Sequence, residues 1–261
     1  KESLGSNTSC VSIEYDKTLI ILDSGTGIRI LSESLNINNY ENIILFITHS
    51  HWDHVQGFPF FKYLFNDCNI NIFCHNNNHY EALINQLNGT NFPLDFENII
   101  AKTKIYNDLE EINKIFNFNA SIINTNHHGD CIGIRIKSGT FDVTYIPDNQ
   151  LHSSLTQKTS KDEFINFCNS TSLLIHDSQY TLEDMPIKKD WGHSIYTDAL
   201  NLAIASNVKE FALFHHDPTR SKSEILEFVS KCQKIAPNIK IYAAEEGLSR
   251  KLLGNEMPSK L

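Results

Sequence analysis

Apolar and polar residues alternate near the start of the chain. In "CVSIEY" (10–15) Val11, Ile13 and Tyr15 share one face, and "TLIILD" (18–23) is a short, mostly apolar run. Alternation is typical of a half-buried strand and a continuous apolar run of a buried one, so the two segments predict a β-hairpin. After the hairpin the apolar positions 28, 31 and 35 switch to helical spacing, which predicts a helix.

Strand-like and helix-like segments keep alternating further along. Strands are predicted for "IILFI" (43–47), "GIRI" (133–136), "FDVTYI" (141–146), "SLLIHD" (172–177), "EFALFHHD" (210–217) and "IKIYAA" (239–244). One helix is predicted from about Ser194 to Ser206, and another opens at the capping box "SKSE" (221–224). Two β-rich halves with flanking helices would give a four-layered αββα sandwich of the α/β class, and the pattern leaves other α/β layouts open.

The composition predicts a soluble protein of one domain, residues 1–261. The 261 residues are 41% hydrophobic and 20% charged, and no apolar run reaches membrane-spanning length. We find no signal peptide and no CxxC pair among six cysteines, so a cytoplasmic protein with reduced cysteines is expected. Because the chain starts at Lys1, we expect that further residues, including a first strand, precede it. The net charge of −9 argues against a large nucleic-acid partner.

The segment "THSHWDHVQG" (48–57) concentrates metal-binding side chains directly after a predicted buried strand. His49 and His51 are two residues apart, so on an extended backbone both rings point the same way. Asp53 and His54 follow where the strand ends. Such a group can serve two ions, and its nitrogen and carboxylate donors suit zinc, manganese or iron. The alternative, an exposed turn with chance histidines, is less favoured because four such residues fall within six positions.

This segment matches the HxHxDH motif of the metallo-β-lactamase superfamily. "NTSCV" and "LIILDSGTG" before it resemble the first motif of that family, in which Asp23 would be an acidic residue behind the ligands. "NHHGDCIGIRI" (126–136), "YIPDNQ" (145–150) and "LFHHDP" (213–218) resemble the family segments that carry the remaining ligands. The resemblance covers nearly the whole chain and implies the αββα sandwich.

The resemblance also implies a ligand set for two divalent ions, with zinc expected and manganese or iron as alternatives. One ion would be bound by His49, His51 and His127, the other by Asp53, His54 and His215, with Asp148 bridging both. Two ligands have a histidine neighbour. The usual form of the family favours His127 over His128 and His215 over His216.

The segment 173–200, "LLIHDSQYTLEDM" through "WGHSIYTDAL", resembles the ribonuclease Z-like phosphodiesterases. Their Gly-His-Ser motif carries a histidine that faces the scissile phosphate, which here would be His193. The alternative is a histidine at a helix N-terminus, with Ser194 as the cap. Asp177 could orient His193 or be structural. His75, His79 and His152 are expected to be surface histidines without a role, and the glycines of "SGTG" (24–27) to form a tight turn.

These features predict a two-metal phosphodiesterase. Asp53 would also accept a hydrogen bond from the attacking water, and His193 would stabilise charge on the phosphate or donate a proton to the leaving oxygen. A small phosphodiester such as a cyclic nucleotide is expected, because we find no glycine-rich basic arm for tRNA and because 80–99 reads as a helix and loop over a small pocket. Alternatives are a thioester or lactone hydrolase, a tRNA 3′-end endonuclease, and a non-catalytic metal or nucleotide-binding protein. "FPFFKYLF" (58–65) would provide a homodimer surface or part of the core.

Overall fold

The hairpin predicted near the start of the chain is present and begins a five-stranded sheet. The computed structural model describes residues 3–152 and 157–252. The strands are β1 (Val11–Tyr15), β2 (Thr18–Leu22), β3 (Asn42–Ile47), β4 (Asn69–Cys74) and β5 (Lys102–Tyr106), in that order across the sheet. β1 and β2 pair antiparallel, and β2 to β5 run parallel. The sheet is therefore mixed, and the carboxyl ends of β2 and β3 lie at the same edge.

A second, six-stranded mixed sheet is formed by the later part of the chain. Its strands are β6 (Asn119–Asn124), β7 (Ile132–Lys137), β8 (Asp142–Ile146), β9 (Leu173–Asp177), β10 (Glu210–Phe214) and β11 (Lys240–Ala243), ordered β11-β10-β9-β8-β7-β6. β8 to β11 run parallel, while β7 is antiparallel to both of its neighbours. The carboxyl ends of β6, β8, β9 and β10 therefore share one edge, where side chains from distant segments can meet.

Each sheet belongs to its own compact unit. The N-terminal unit is Asn7–Ile112, and the C-terminal unit comprises the described residues from 113 onward with the N-terminal stretch up to Ser6. The helices are α1 (Gly27–Ser34), α2 (Trp52–Val55), α3 (Asn77–Ile84), α4 (Leu109–Ile115), α5 (Lys161–Cys168), α6 (Met185–Lys188), α7 (Tyr196–Ala205) and α8 (Lys222–Ile235). One domain over 1–261 stays a prediction.

Each unit has its own apolar core. In the N-terminal unit, side chains of β2, β3 and β4 pack with α1 and with the segment 58–64, so "FPFFKYLF" contributes to the core. In the C-terminal unit, the parallel strands pack with α5, α7 and α8. β8 and β9 are buried along their whole length, as expected for parallel strands covered on both faces. Among the described residues, no helix has the length and hydropathy that crossing a membrane requires.

One predicted strand end was wrong, and a predicted helix begins two residues later than expected. The strand predicted for 210–217 ends at Phe214, because His215 has a left-handed backbone with φ of +55° that cannot continue a strand. The helix predicted from Ser194 begins at Tyr196. The capping box of α8 is confirmed. The Ser221 hydroxyl accepts a hydrogen bond from the backbone N–H of Glu224, and the Glu224 carboxylate accepts one from the backbone N–H of Ser221.

Candidate metal centre

The four donors of the HxHxDH segment follow β3 without interruption. His49 and His51 lie in the extended stretch between β3 and α2, with ring centroids 4.5 Å apart and ring nitrogens within 4.8 Å of each other. Asp53 and His54 lie in the first turn of α2, where the Nε2 of His54 is 3.3 Å from Asp53 Oδ2. The extended stretch thus presents one pair of donors and the helical turn a second pair, as the spacing predicted.

Asp23 orients this segment from behind. Its buried carboxylate accepts hydrogen bonds from the backbone N–H and hydroxyl of Thr48, and it lies 2.8 Å from the Nδ1 of His54. A carboxylate on Nδ1 fixes the ring and makes Nε2 the metal-facing atom. Asp23 itself has φ of +62°, a strained conformation that is typical of functional sites.

Gly25 holds the backbone of Asp53 at very close range. A Cβ at Gly25 would lie 2.2 Å from the carbonyl oxygen of Asp53 and 2.7 Å from the backbone nitrogen of Ser9. The turn predicted for "SGTG" is present, since the backbone N–H of Ile28 donates to the carbonyl oxygen of Gly25 at 3.0 Å, but the φ of Gly25 is not in the left-handed region. The glycine is required because two backbone segments touch there.

In the C-terminal unit, Asp148 lies between two histidines. Its Oδ2 is 3.4 Å from the Nε2 of His127, and its Oδ1 is 3.4 Å from the Nε2 of His215. The three residues come from the loop after β6, the end of β8 and the end of β10. Each carboxylate oxygen therefore faces a different imidazole, an arrangement that fits the predicted role of Asp148 as a bridging carboxylate.

Both of these histidines are oriented through Nδ1. The Nδ1 of His127 lies 2.8 Å from the carbonyl oxygen of Gly192, and the Nδ1 of His215 lies 2.9 Å from the side-chain nitrogen of Gln179. Such partners on Nδ1 leave the Nε2 side of each ring toward Asp148.

The neighbouring histidines are placed elsewhere. His128 is exposed, and its Nε2 lies 3.5 Å from the carbonyl oxygen of Asp190. His216 has its Nε2 3.1 Å from the carbonyl oxygen of Ala244, and burial lowers its pKa to about 4. His216 is therefore neutral at pH 7 and bonded to backbone. The geometry thus favours His127 and His215 as ligands, as the resemblance implied.

His193 lies beside these residues and is held by Asp177. The Nδ1 of His193 is 2.9 Å from Asp177 Oδ2, and its ring stacks on that of His215 with centroids 5.0 Å apart and 15° between the planes. Donor atoms of His193, His215 and Asp148 all lie within 4.8 Å of one another. The contact expected between Asp177 and His193 is present, and the catalytic role of His193 stays a prediction.

Ser194 does not cap a helix, contrary to the alternative interpretation of the Gly-His-Ser segment. Its hydroxyl donates to the carbonyl oxygen of Asn149 and accepts from the backbone N–H of Leu151. The side chain thereby ties the segment with His193 to the stretch that follows Asp148. Burial raises the pKa of Tyr180, so a neutral phenol lies edge-on to His193 with ring centroids 5.7 Å apart.

Several supporting residues were not identified from the sequence. Four of them form hydrogen bonds with the predicted ligands or with residues next to them: Thr48, Gln150, Gln179 and Gly192. All four belong to segments that resemble the family, but none of them was assigned a role from the sequence. Of the three histidines expected at the surface, His79 is buried, and His152 lies 3.8 Å from an Asp198 oxygen.

The donors and spacings fit a divalent ion. Two ligands of a tetrahedral zinc ion with bonds of about 2.0–2.1 Å lie about 3.3 Å apart. The three imidazole–carboxylate pairs in which both residues are predicted ligands are separated by 3.3–3.4 Å, namely His54–Asp53, His127–Asp148 and His215–Asp148. This separation is longer than an ordinary hydrogen bond, so the pairs are spaced as ligands that share an ion rather than as His–Asp hydrogen bonds.

Known proteins resemble this chain in sequence and in fold. A ribonuclease Z of Prochlorococcus marinus (strain MIT 9515) is 22% identical, with 96% of both chains covered. The metallo-β-lactamase fold protein YhfI of Bacillus subtilis superposes with a TM-score of 0.68 at 18% identity, over 92% of this chain and 90% of that one. A diphosphatase from the PhnP family superposes with a TM-score of 0.59 at 16% identity, over 94% of this chain and 85% of that one.

The family model described as the β-lactamase superfamily domain matches residues 20–216, which is more than half of the 261 residues. The matched range contains every predicted ligand from His49 to His215. The likeness to YhfI shows the fold independently of the motifs. The chain therefore belongs to the β-lactamase superfamily and has the metallo-β-lactamase fold, which confirms the predicted α/β class.

Proposed function

We propose that the protein is a two-metal phosphodiesterase that hydrolyses a small phosphodiester, with a 3′,5′-cyclic nucleotide as the favoured substrate. Membership of the β-lactamase superfamily and the His/Asp donor clusters support the broader class of a metal-dependent hydrolase. The phosphodiester, the zinc ions, a cytoplasmic location and a homodimer are the finer parts of the proposal.

The observation that carries the proposal is the placement of Asp148. Its two oxygens face two different imidazoles at 3.4 Å, which supports the predicted assignment of His127 to one ion and His215 to the other. The same assignment gives His49 and His51 to the first ion and Asp53 and His54 to the second, by resemblance to the family.

Two bound divalent ions would lower the pKa of a water molecule and polarise a phosphoryl oxygen. The residues of the chain supply the rest. Asp53, half-exposed at the start of α2, accepts a hydrogen bond from the attacking water. His193 offers its Nε2 to the phosphate or to the leaving oxygen, because its Nδ1 is held by the buried carboxylate of Asp177. A protonated imidazole can donate a proton to that leaving oxygen.

The choice of a phosphodiester rests on His193 and its surroundings. A thioester or lactone has no phosphate oxygens for an imidazole to stabilise, whereas His193 stacks on a predicted ligand and shares the 4.8 Å donor group with it. The similarity to a ribonuclease Z and to a diphosphatase of the PhnP family also supports phosphorus–oxygen chemistry. The net charge of −9 favours a small substrate over a polyanion.

The test combines metal analysis with turnover. Wild type, Asp148→Ala, His127→Ala and His193→Ala are assayed for bound metal and for hydrolysis of bis-p-nitrophenyl phosphate and cyclic nucleotides, with His128→Ala as the matched control. We expect two ions per chain in the wild type and in His193→Ala, loss of metal in the two ligand variants, and loss of turnover in all three. His128→Ala should behave like wild type, because that ring is exposed and bonded to a carbonyl oxygen.

If the wild type binds metal but leaves every phosphodiester intact, the phosphodiesterase proposal is wrong, and thioesters and lactones become the next substrates to assay. If His128→Ala loses metal while His127→Ala retains it, the ligand assignment is wrong and the hydrolase class stands.

A second candidate is a tRNA 3′-end endonuclease. The observation in its favour is the similarity to ribonuclease Z over 96% of both chains. Cleavage of a precursor tRNA by the wild type, with slower hydrolysis of cyclic nucleotides, would favour this second function.

A further inference from the structure

Trp191 is a large apolar residue that the fold leaves exposed, one position before Gly192, whose carbonyl oxygen contacts the predicted ligand His127. Trp191 is 57% exposed and directly precedes Gly192 and His193 in the chain. A tryptophan ring buries a large apolar area when it finds a partner, so an exposed tryptophan beside a binding site is available for ligand contact.

The backbone on both sides of Trp191 is fixed. The N–H of Trp191 donates to the carbonyl oxygen of Lys188 at 3.2 Å, and the preceding Asp190 has φ of +63°. The following Gly192 has φ of +91°, donates its N–H to Gln150 Oε1 at 3.2 Å, and accepts through its carbonyl oxygen from the Nδ1 of His127 at 2.8 Å. Trp191 is thus presented on a strained turn that is bonded to a predicted metal ligand.

This combination differs from a chance surface tryptophan. Left-handed backbone costs free energy and persists where the surrounding contacts maintain it, which is common at ligand sites. A ring on a fixed turn has only two side-chain torsions left to order when it binds, so the entropy cost of stacking is small. The backbone that positions His127 therefore also positions the indole.

From this placement we infer that Trp191 is a specificity-determining residue that stacks on an aromatic ring of the substrate, a nucleobase in the substrate class proposed above. The inference rests on the proposed function, because a nucleobase is the aromatic group that a cyclic nucleotide carries next to its phosphodiester. Aromatic stacking accepts every base, so Trp191 would select nucleotides over aliphatic phosphodiesters without selecting one base.

Steady-state kinetics of the metal-loaded enzyme test the inference. In Trp191→Ala we expect KM for a cyclic nucleotide to rise about 5- to 100-fold with little change in kcat, because the lost contact is made away from the reacting atoms. Trp191→Phe keeps a ring and should retain most of the affinity. Ile187→Ala is the matched control, since Ile187 is 79% exposed on α6 of the same segment and should leave KM unchanged.

Fluorescence gives a readout that does not need turnover. The chain has two tryptophans, Trp52 and Trp191, so Trp52→Phe isolates the emission of Trp191. A nucleoside 5′-monophosphate should quench that emission, whereas ribose 5-phosphate, which lacks the base, should not.

The failures can be told apart. A wild type that hydrolyses cyclic nucleotides, together with an unchanged KM in Trp191→Ala, overturns the inference and leaves the proposed function standing. A wild type without phosphodiesterase activity overturns the proposed function, and the fluorescence experiment then decides the inference alone. Quenching by the nucleotide supports it, and equal responses to both ligands overturn it.

Discussion

Gly192→Ala should disrupt metal binding by displacing one imidazole. A Cβ at this position would lie 2.3 Å from the Nδ1 of His127, where real Cβ atoms keep at least 3.0 Å from a heavy atom. The imidazole must therefore move by about 0.7 Å, the difference between these two distances. Ligand distances at a metal site tolerate only about ±0.2 Å, so the displaced ring no longer fits the ion.

Two effects add up in this variant. The φ of +91° at Gly192 is costly for any side chain, by about 1–2 kcal/mol. The carbonyl oxygen that receives the Nδ1 proton of His127 also shifts, and loss of such a partner lowers metal affinity by about 10–100-fold. We expect lower stability together with at least a tenfold loss of metal affinity.

Gly247→Ala separates the two effects. Gly247 also has a left-handed backbone, with φ of +78°, and a Cβ there would meet nothing within 4 Å. Metal affinity is measured by calorimetric titration of the metal-free proteins, and stability by thermal unfolding. Both variants should lose stability, and only Gly192→Ala should lose affinity. Wild-type metal affinity in Gly192→Ala would refute the steric argument.

Asp177→Asn should lower kcat while metal content is kept, because the buried carboxylate contacts the Nδ1 of His193; loss of metal would assign Asp177 a structural role instead. Burial lowers the pKa of His176 from 6.5 in the folded protein, so as the pH falls the unfolded chain binds a proton at this residue before the folded protein does. The free energy of unfolding should therefore decrease as the pH falls from 6.5 to the lower pKa of the folded state. Denaturant unfolding of His176→Gln between pH 7 and 5 should show a flatter slope than wild type. Ser221→Ala removes the side-chain cap of α8 and should cost about 1 kcal/mol, or about 2–4 °C in Tm; an unchanged Tm would show that Glu224 alone suffices.

The main strands and the ligand-rich segments could be predicted from local sequence. β1 and β2 follow the period of two and the apolar run of their segments, and α8 follows a capping box. These signals are local, because they depend on neighbours within one strand or one turn of helix. Strands β4, β5 and β6 were not assigned, although the alternation of Asn and Ile at the start of β4 is a strand signal; β5 and β6 contain fewer apolar residues, and their pairing with neighbouring strands determines their structure.

Only the tertiary structure gives a physical reason to prefer one histidine of each adjacent pair as the ligand. In sequence His127 and His128 are equivalent donors, and only the fold brings one of them to 3.4 Å from Asp148 and leaves the other exposed. The same holds for His215, whose left-handed backbone turns it out of β10 toward Asp148. The residue type determines the chemistry of a donor atom. The direction in which the side chain points depends on backbone torsions, and contacts with residues distant in the sequence determine those torsions.

The sequence by itself determined which side chains are available for metal binding. The seven predicted ligands are His and Asp residues, whose nitrogen and carboxylate donors suit a divalent ion. The tertiary structure decided how those donors are held, through contacts between residues far apart in the chain, such as Gly192 with His127 and Gln179 with His215. Such hydrogen bonds join one residue to one distant partner, so they produce no repeating pattern in the sequence from which they could be predicted.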